Sequence, residues 1–189
     1  MPKRHYCMVC QFPLSVCLCK FVHKTCNSVE LIVLQHPSET KVAKNTARLL
    51  ALALQNIQIV VGETAQDFRQ LQAFCLQHRN DVALLYPSTV SRPLEELNKA
   101  HNIKYLLLLD GTWKKAFKLY QCNPWLTALP CWHFAHPPAS QYQRKAHRSD
   151  SLSTLEAAAY GLHLLENIDT APLLVLQQKR QQFSGQRPD

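Results

Sequence analysis

The chain has 189 residues, 47% of them apolar and 18% charged, with a formal net charge of +8. That is enough apolar chain for one full-sized core, and no apolar run, the leucines at 106–109 included, approaches the length that crosses a bilayer. The excess of cations favours a polyanionic partner, and the only glycines, Gly62, Gly111, Gly161 and Gly185, cannot spell a G-x-G-x-x-G dinucleotide loop or a P-loop.

Residues 1–26 form a cysteine-rich lead segment with little periodicity. Its start is basic but lacks the apolar stretch of a secretory signal, so the eight cysteines read as thiols or metal ligands in the cytosol rather than as disulfides. Cys7-x-x-Cys10 followed by Cys17-x-Cys19 puts four thiols within 13 residues. A C-x-x-C turn lets two sulfurs converge on one ion, and a second close pair completes a tetrahedral site for structural Zn2+. Spacing leaves an iron–sulfur cluster or free thiols open as alternatives. Lys3, Arg4, His5, Lys20, His23 and Lys24 surround the cluster, either as an RNA-contacting surface or as plain solvation.

Residues 27–189 form the second expected unit, in which short apolar runs alternate with helix-period stretches. Residues 29–34 predict a strand. A helix is expected over 40–54, with Val42, Thr46, Leu49, Leu50 and Ala53 on one face. A strand at 57–61 and a helix at 65–78 follow, the helix burying Phe68, Leu71 and Cys75. Next come a strand at 82–86, a short helix near 93–99 and a strand at 104–109. Trp113, Ala116, Phe117 and Tyr120 then mark a helix, and 131–134 a fifth strand. After a polar loop at 139–151, Ser153-Thr154-Leu155-Glu156 has capping-box spacing and opens a helix, and 170–183 looks helical.

Strands alternating with helices imply an α/β fold with a mostly parallel sheet flanked by helices. Ligands of such sheets sit beyond the carboxyl ends of the strands. That rule gathers residues 35–39, 86–89, 110–113 and 136–140 on one rim, the natural place for a cofactor.

The strongest local feature is Leu107-Leu108-Leu109-Asp110-Gly111-Thr112-Trp113, an apolar strand ending in an acid, a turn, a hydroxyl and an indole. Taken alone it is ordinary turn chemistry, with Thr112 capping a helix and Trp113 buried. Two further segments give it context: His36-Pro37-Ser38-Glu39 leading to Asn45-Thr46, and Tyr142-x-Arg144 leading to Thr154-Leu155-Glu156. Together with the cysteines these segments resemble the DTW-domain family of tRNA-uridine aminocarboxypropyltransferases, over residues 7–165.

The resemblance implies a SPOUT-like sheet with a knotted cofactor region. It also implies S-adenosylmethionine as co-substrate and a tRNA partner. The implied reaction moves the 3-amino-3-carboxypropyl group to N3 of a uridine, in the variable loop for bacterial members and the D-loop for eukaryotic ones, releasing methylthioadenosine. Residue by residue, Asp110, Thr112 and Trp113 fall on the name-giving motif, Asn45 and Thr46 on an Asn-Thr pair, Arg144 on a basic loop, and Thr154 with Glu156 on a Thr-x-Glu signature. Tyr86, Pro87 and Gly111 join Asp110, Thr112, Trp113, Thr154 and Glu156 as candidates for cofactor contact. Asn45, Thr46, Arg144 and Tyr142 are candidates for substrate contact. Tyr142 stands where members often carry a second arginine, and an aromatic there can stack on a base.

In the implied transfer the leaving thioether is neutral, so the chemical demand falls on N3, which must lose a proton. Asp110 is the candidate base. Binding the cofactor's amino group as a fixed carboxylate is its rival role, and a turn residue its plainest one. Glu156 reads equally well as a capping-box residue, and Trp113, on an apolar stripe, is expected in the core more than under a base. Other readings are a SPOUT-type RNA methyltransferase and a zinc-knuckle RNA-binding protein without catalysis. No exposed apolar stripe demands a dimer, so the oligomeric state stays open and a monomer is compatible with the sequence.

Overall fold

A run of leucines with no polar residue between them needs cover on both faces of its strand. A computed structural model describes residues 5–98, 100–142 and 151–185, and it places that run in β5 (Tyr105–Asp110), inside a six-stranded sheet. The other strands are β1 (Glu30–Gln35), β2 (Ile57–Val61), β3 (Val82–Leu85), β4 (Arg92–Pro93) and β6 (Cys131–His133). Their order is β2-β1-β5-β3-β6-β4, and every pairing is parallel. The helices are α1 (Ala47–Ala53), α2 (Arg69–Gln77), α3 (Trp113–Cys122), α4 (Thr154–Glu166) and α5 (Ala171–Gly185).

The two-residue alternation of the strands divides the core into two layers. Leu31, Val33, Ala83, Leu106 and Leu108 pack with Leu49 and Leu50 of α1, Leu155 and Leu162 of α4, and Leu173 and Leu176 of α5. Ile32, Leu34, Leu84 and Leu107 face the other way, onto Leu71 and Cys75 of α2 and Ala116 and Leu119 of α3. Cys75 is a core thiol as expected, and burial pushes its ionisation up to about 12. Gly161 lets α4 sit close on β5, since a Cβ there would lie 2.9 Å from a Leu106 methyl.

The cysteine-rich segment shares the first of these layers. Cys10, Phe12 and Leu18 are buried in it, and the completely covered Leu18 stands for about 1.5–3 kcal/mol of burial. Arg48 of α1 donates to the carbonyls of Cys10 and Gln11, which fixes the segment against that helix.

Three expected helix boundaries differ from the structure, each for a local reason. The helix expected over 40–54 begins at Ala47. The Asn45 side-chain oxygen accepts the Ala47 N–H at 2.9 Å, which starts the helix there and leaves Val42 exposed in a turn. The helix expected over 65–78 begins at Arg69, because the Asp67 carboxylate takes the N–H groups of Glu63 and Thr64 in a turn of its own. Around 93–99 there is instead the short strand β4 and a single 3-10 turn, Leu94–Glu96. Among the described residues no helix is long and apolar enough to cross a membrane.

Candidate active site

Asp110 ends β5 at the carboxyl rim of the sheet, and its side chain is 2% exposed. Three side-chain donors converge on that buried carboxylate. Thr154 Oγ1 donates to one oxygen at 2.6 Å, while Gln35 Nε2 and Asn45 Nδ2 donate to the other at 2.8 and 2.7 Å. The donors come from β1, from the turn before α1 and from the first residue of α4. The network extends outward: Asn45 also reaches the Glu39 carboxylate at 3.4 Å, and Lys115 closes on Glu39 at 2.7 Å. Nearby, His36 sits between Ser38 and Glu63 and is a satisfied loop histidine.

On the far side of Thr154 lies a cavity of about 230 Å³, bounded by the carboxyl ends of β3, β5 and β6 and the start of α4. Its wall is largely apolar, with Tyr86, Pro87, Leu109, Trp113, Phe134 and Leu152 among its members, and it holds a few polar groups, His133, Ser153 and Thr154. An apolar slot with a few placed polar groups is the usual character of a small-molecule site.

The Ser91 hydroxyl lies 2.9 Å from His133 Nδ1 and 2.8 Å from the Ser88 carbonyl, which anchors the imidazole ring. A neutral imidazole has one nitrogen that donates and one that accepts.

Glu156 braces the loop above the cavity. It completes the capping box with Ser153, and its carboxylate also receives the Ser140 hydroxyl and the Gln141 and Tyr142 N–H groups at 2.8–3.0 Å. Removing it would release the helix start and the loop together.

The four clustered cysteines converge as their spacing predicts. All four sulfurs lie within 4.8 Å of one another, with Cys7–Cys19 at 3.5 Å and Cys10–Cys17 at 3.7 Å. Sulfurs bound tetrahedrally to zinc at the usual bond length stand about 3.8 Å apart, so the set fits that ion. Backbone N–H bonds from Cys10 and Val9 pull the Cys7 thiol down to about 6, while contact with Cys7 pushes Cys19 up to about 12. A divalent cation held by the four sulfurs would remove that conflict, because coordinating thiols lose their protons outright.

The DTW domain model matches residues 4–183 of this chain. The chain belongs to the DTW domain family. It is 33% identical over 171 residues to tRNA-uridine aminocarboxypropyltransferase 2 of Drosophila melanogaster, covering 87% of this chain and 68% of that protein. To the proteins of the same name from Macaca fascicularis and Mus musculus it is 30% and 29% identical, over 87% of this chain and 57% of each of theirs. The chain therefore spans little more than half the length of those two relatives. No solved structure matches it.

Within the DTW domain, the residues singled out from sequence separate into groups. Tyr86, Pro87, Gly111, Trp113 and Thr154 line the cavity. Asp110, Asn45, Thr46 and Glu156 are buried around it, in hydrogen bonds of the fold. Thr112 occupies the N-cap position of α3, but its hydroxyl makes no capping bond and is exposed. Tyr142 donates its phenol to the Lys44 carbonyl at 2.9 Å, and Arg144 lies outside the described residues.

Trp113 departs from the expectation of core packing. It is 48% exposed at the cavity mouth, with its indole N–H on Ser151, because α3 turns Ala116 and Leu119 inward instead. His133 and Phe134 were missed. The signal that could have found them is their place at the end of an expected strand on the same rim.

Proposed function

We propose that this chain transfers the 3-amino-3-carboxypropyl group of S-adenosylmethionine to N3 of a tRNA uridine, releasing methylthioadenosine. The reading is carried by one convergence. The family's motif residues Asp110, Asn45 and Thr154, far apart in sequence, meet in one hydrogen-bonded knot beside a cavity at the carboxyl rim. It is supported by relatives, aligned over 87% of this chain, that bear the name of that activity. The cavity is the place for S-adenosylmethionine, which supplies the transferable group, with Trp113 at the mouth as the aromatic face against which a splayed uracil packs.

Asp110 is assigned here as a positioning residue. Its oxygens are occupied by three donors and it does not line the cavity, so it fixes Thr154 and Asn45 rather than reaching for a proton. Asn45 and Thr46, both buried, have the same supporting role. The proton of N3 goes to the imidazole of His133, a titratable side chain in the cavity wall that Ser91 anchors. Zn2+ held by Cys7, Cys10, Cys17 and Cys19 leaves no open coordination position among four sulfurs, so it is structural.

Mass spectrometry of nucleosides from tRNA incubated with the protein and S-adenosylmethionine tests the reading. The expected result is an aminocarboxypropylated uridine with methylthioadenosine as co-product. A methylated nucleoside with S-adenosylhomocysteine, or no modification at all, overturns it.

A further inference from the structure

We infer that the sugar–phosphate backbone of the RNA lies along a basic strip that runs from the rim beside Asn45 over α1 and α5 onto the cysteine-rich segment. The inference deepens the proposed function and rests on its RNA substrate. A chain of contacts builds the strip. Lys41 and Lys44 flank Ala43, whose carbonyl receives the Arg180 guanidinium at 2.8 Å. Arg180 and Arg48 both lie over the Phe12 ring, at 4.9 and 4.1 Å. Lys179, next to Arg180, shares the Phe21 ring with Lys20, at 5.5 and 5.0 Å. Aromatic rings of the cysteine-rich segment thus hold cations from α1, α5 and the segment itself side by side.

Among the described residues, Lys20, Lys41, Lys44, Arg48 and Lys179 of the strip make no ion pair with a carboxylate; the ion pairs there involve His36, Lys104, Lys115 and Lys118. Like charges gathered side by side repel one another, and a row of phosphates offsets that repulsion while releasing counterions. The strip also starts in the right place. Lys44 directly precedes Asn45 of the Asp110 knot, and its carbonyl holds Tyr142 from the loop that Glu156 braces. An RNA strand on the strip can therefore present a base at the cavity mouth.

The test compares the triple variant Lys41→Glu/Lys44→Glu/Lys179→Glu with the control Arg79→Glu/Lys104→Glu, whose residues sit at the opposite, amino-terminal rim of the sheet. Binding of fluorescent tRNA is followed by anisotropy at several salt concentrations, with S-adenosylmethionine affinity and the melting curve as checks on folding. We expect the triple variant to lose at least about tenfold in affinity and about three units from the slope of log affinity against log salt, one per phosphate contact. The control should stay within about twofold of wild type on the same electrostatic scale. Equal losses in both proteins, or none in the triple variant, overturn the strip. So does strip-dependent binding to anionic phosphatidylserine vesicles without binding to RNA. Transfer measured on the same samples separates the two ideas: wild-type protein that binds tRNA through the strip yet modifies nothing sinks the proposed activity and leaves the strip standing.

Discussion

The cysteine cluster and the knot around Asp110 are both small polar constellations, but they are assembled over very different lengths of chain. The sulfur contacts of the cluster span 12 and 7 residues. The donors to Asp110 come from 75, 65 and 44 residues away. A constellation of the first kind needs only a turn and an ion. One of the second kind exists only after β1 and β5 have paired and α4 has docked on them. The cluster should therefore answer to metal, and the rim to the integrity of the core.

The sharpest way to break that contrast is to remove a sulfur. Cys10→Ser should lose the zinc proposed for this site. Because Cys10, Phe12 and Leu18 belong to the main core, it should also lower the melting temperature by about 10 °C or more, at roughly 2–4 °C per kcal/mol for a chain of this size. Metal analysis together with thermal melts, with and without a chelator, reads this out. A zinc-free variant that melts like wild type would show that the segment holds itself together without an ion.

At the rim, two substitutions separate support from chemistry. Asp110→Ala takes the acceptor from two buried amide donors and the part-buried Thr154 hydroxyl, at about 1–3 kcal/mol for each one left unsatisfied. It should lose stability and transfer together. His133→Gln should leave the melting curve and S-adenosylmethionine affinity near wild type while slowing transfer by about 100-fold or more, the usual contribution of a general base. If Asp110→Ala folds normally and only transfer falls, the roles given to these two residues are reversed.

The smallest effect is electrostatic. The Lys118 ammonium, with a lesser contribution from His36, holds the Glu63 carboxyl below its ordinary 4.5. A depressed carboxyl contributes stability that is complete above the unfolded value and fades as the pH falls through the lower folded one. Stability against pH should therefore decline more steeply below about 4.5 in wild type than in Glu63→Gln. Parallel curves would show that the pair is worth nothing measurable, as is common at partly exposed sites.

Much of this was legible in the residues. The leucine run of β5 implied a sheet covered on both faces, and the capping-box spacing at Ser153–Glu156 placed the start of α4. The helix boundaries at 47 and 69 were misplaced because Asn45 and Asp67 trade their side chains for backbone N–H groups, a competition that apolar periodicity does not register. Trp113 looked like core because its stripe is apolar, yet the neighbouring stripe with Ala116 and Leu119 is the one that meets the sheet.

Sequence by itself determined whatever rests on short spacing: four sulfurs able to converge, strands of apolar residues, a helix start, and the position of Asp110 at a strand end. Only the tertiary structure decided what that acid faces. Which side of a strand end looks into a cavity, and which donors fill its oxygens, depends on neighbours brought in from distant parts of the chain. That is why His133 lines the cavity while Asp110 turns to Gln35, Asn45 and Thr154.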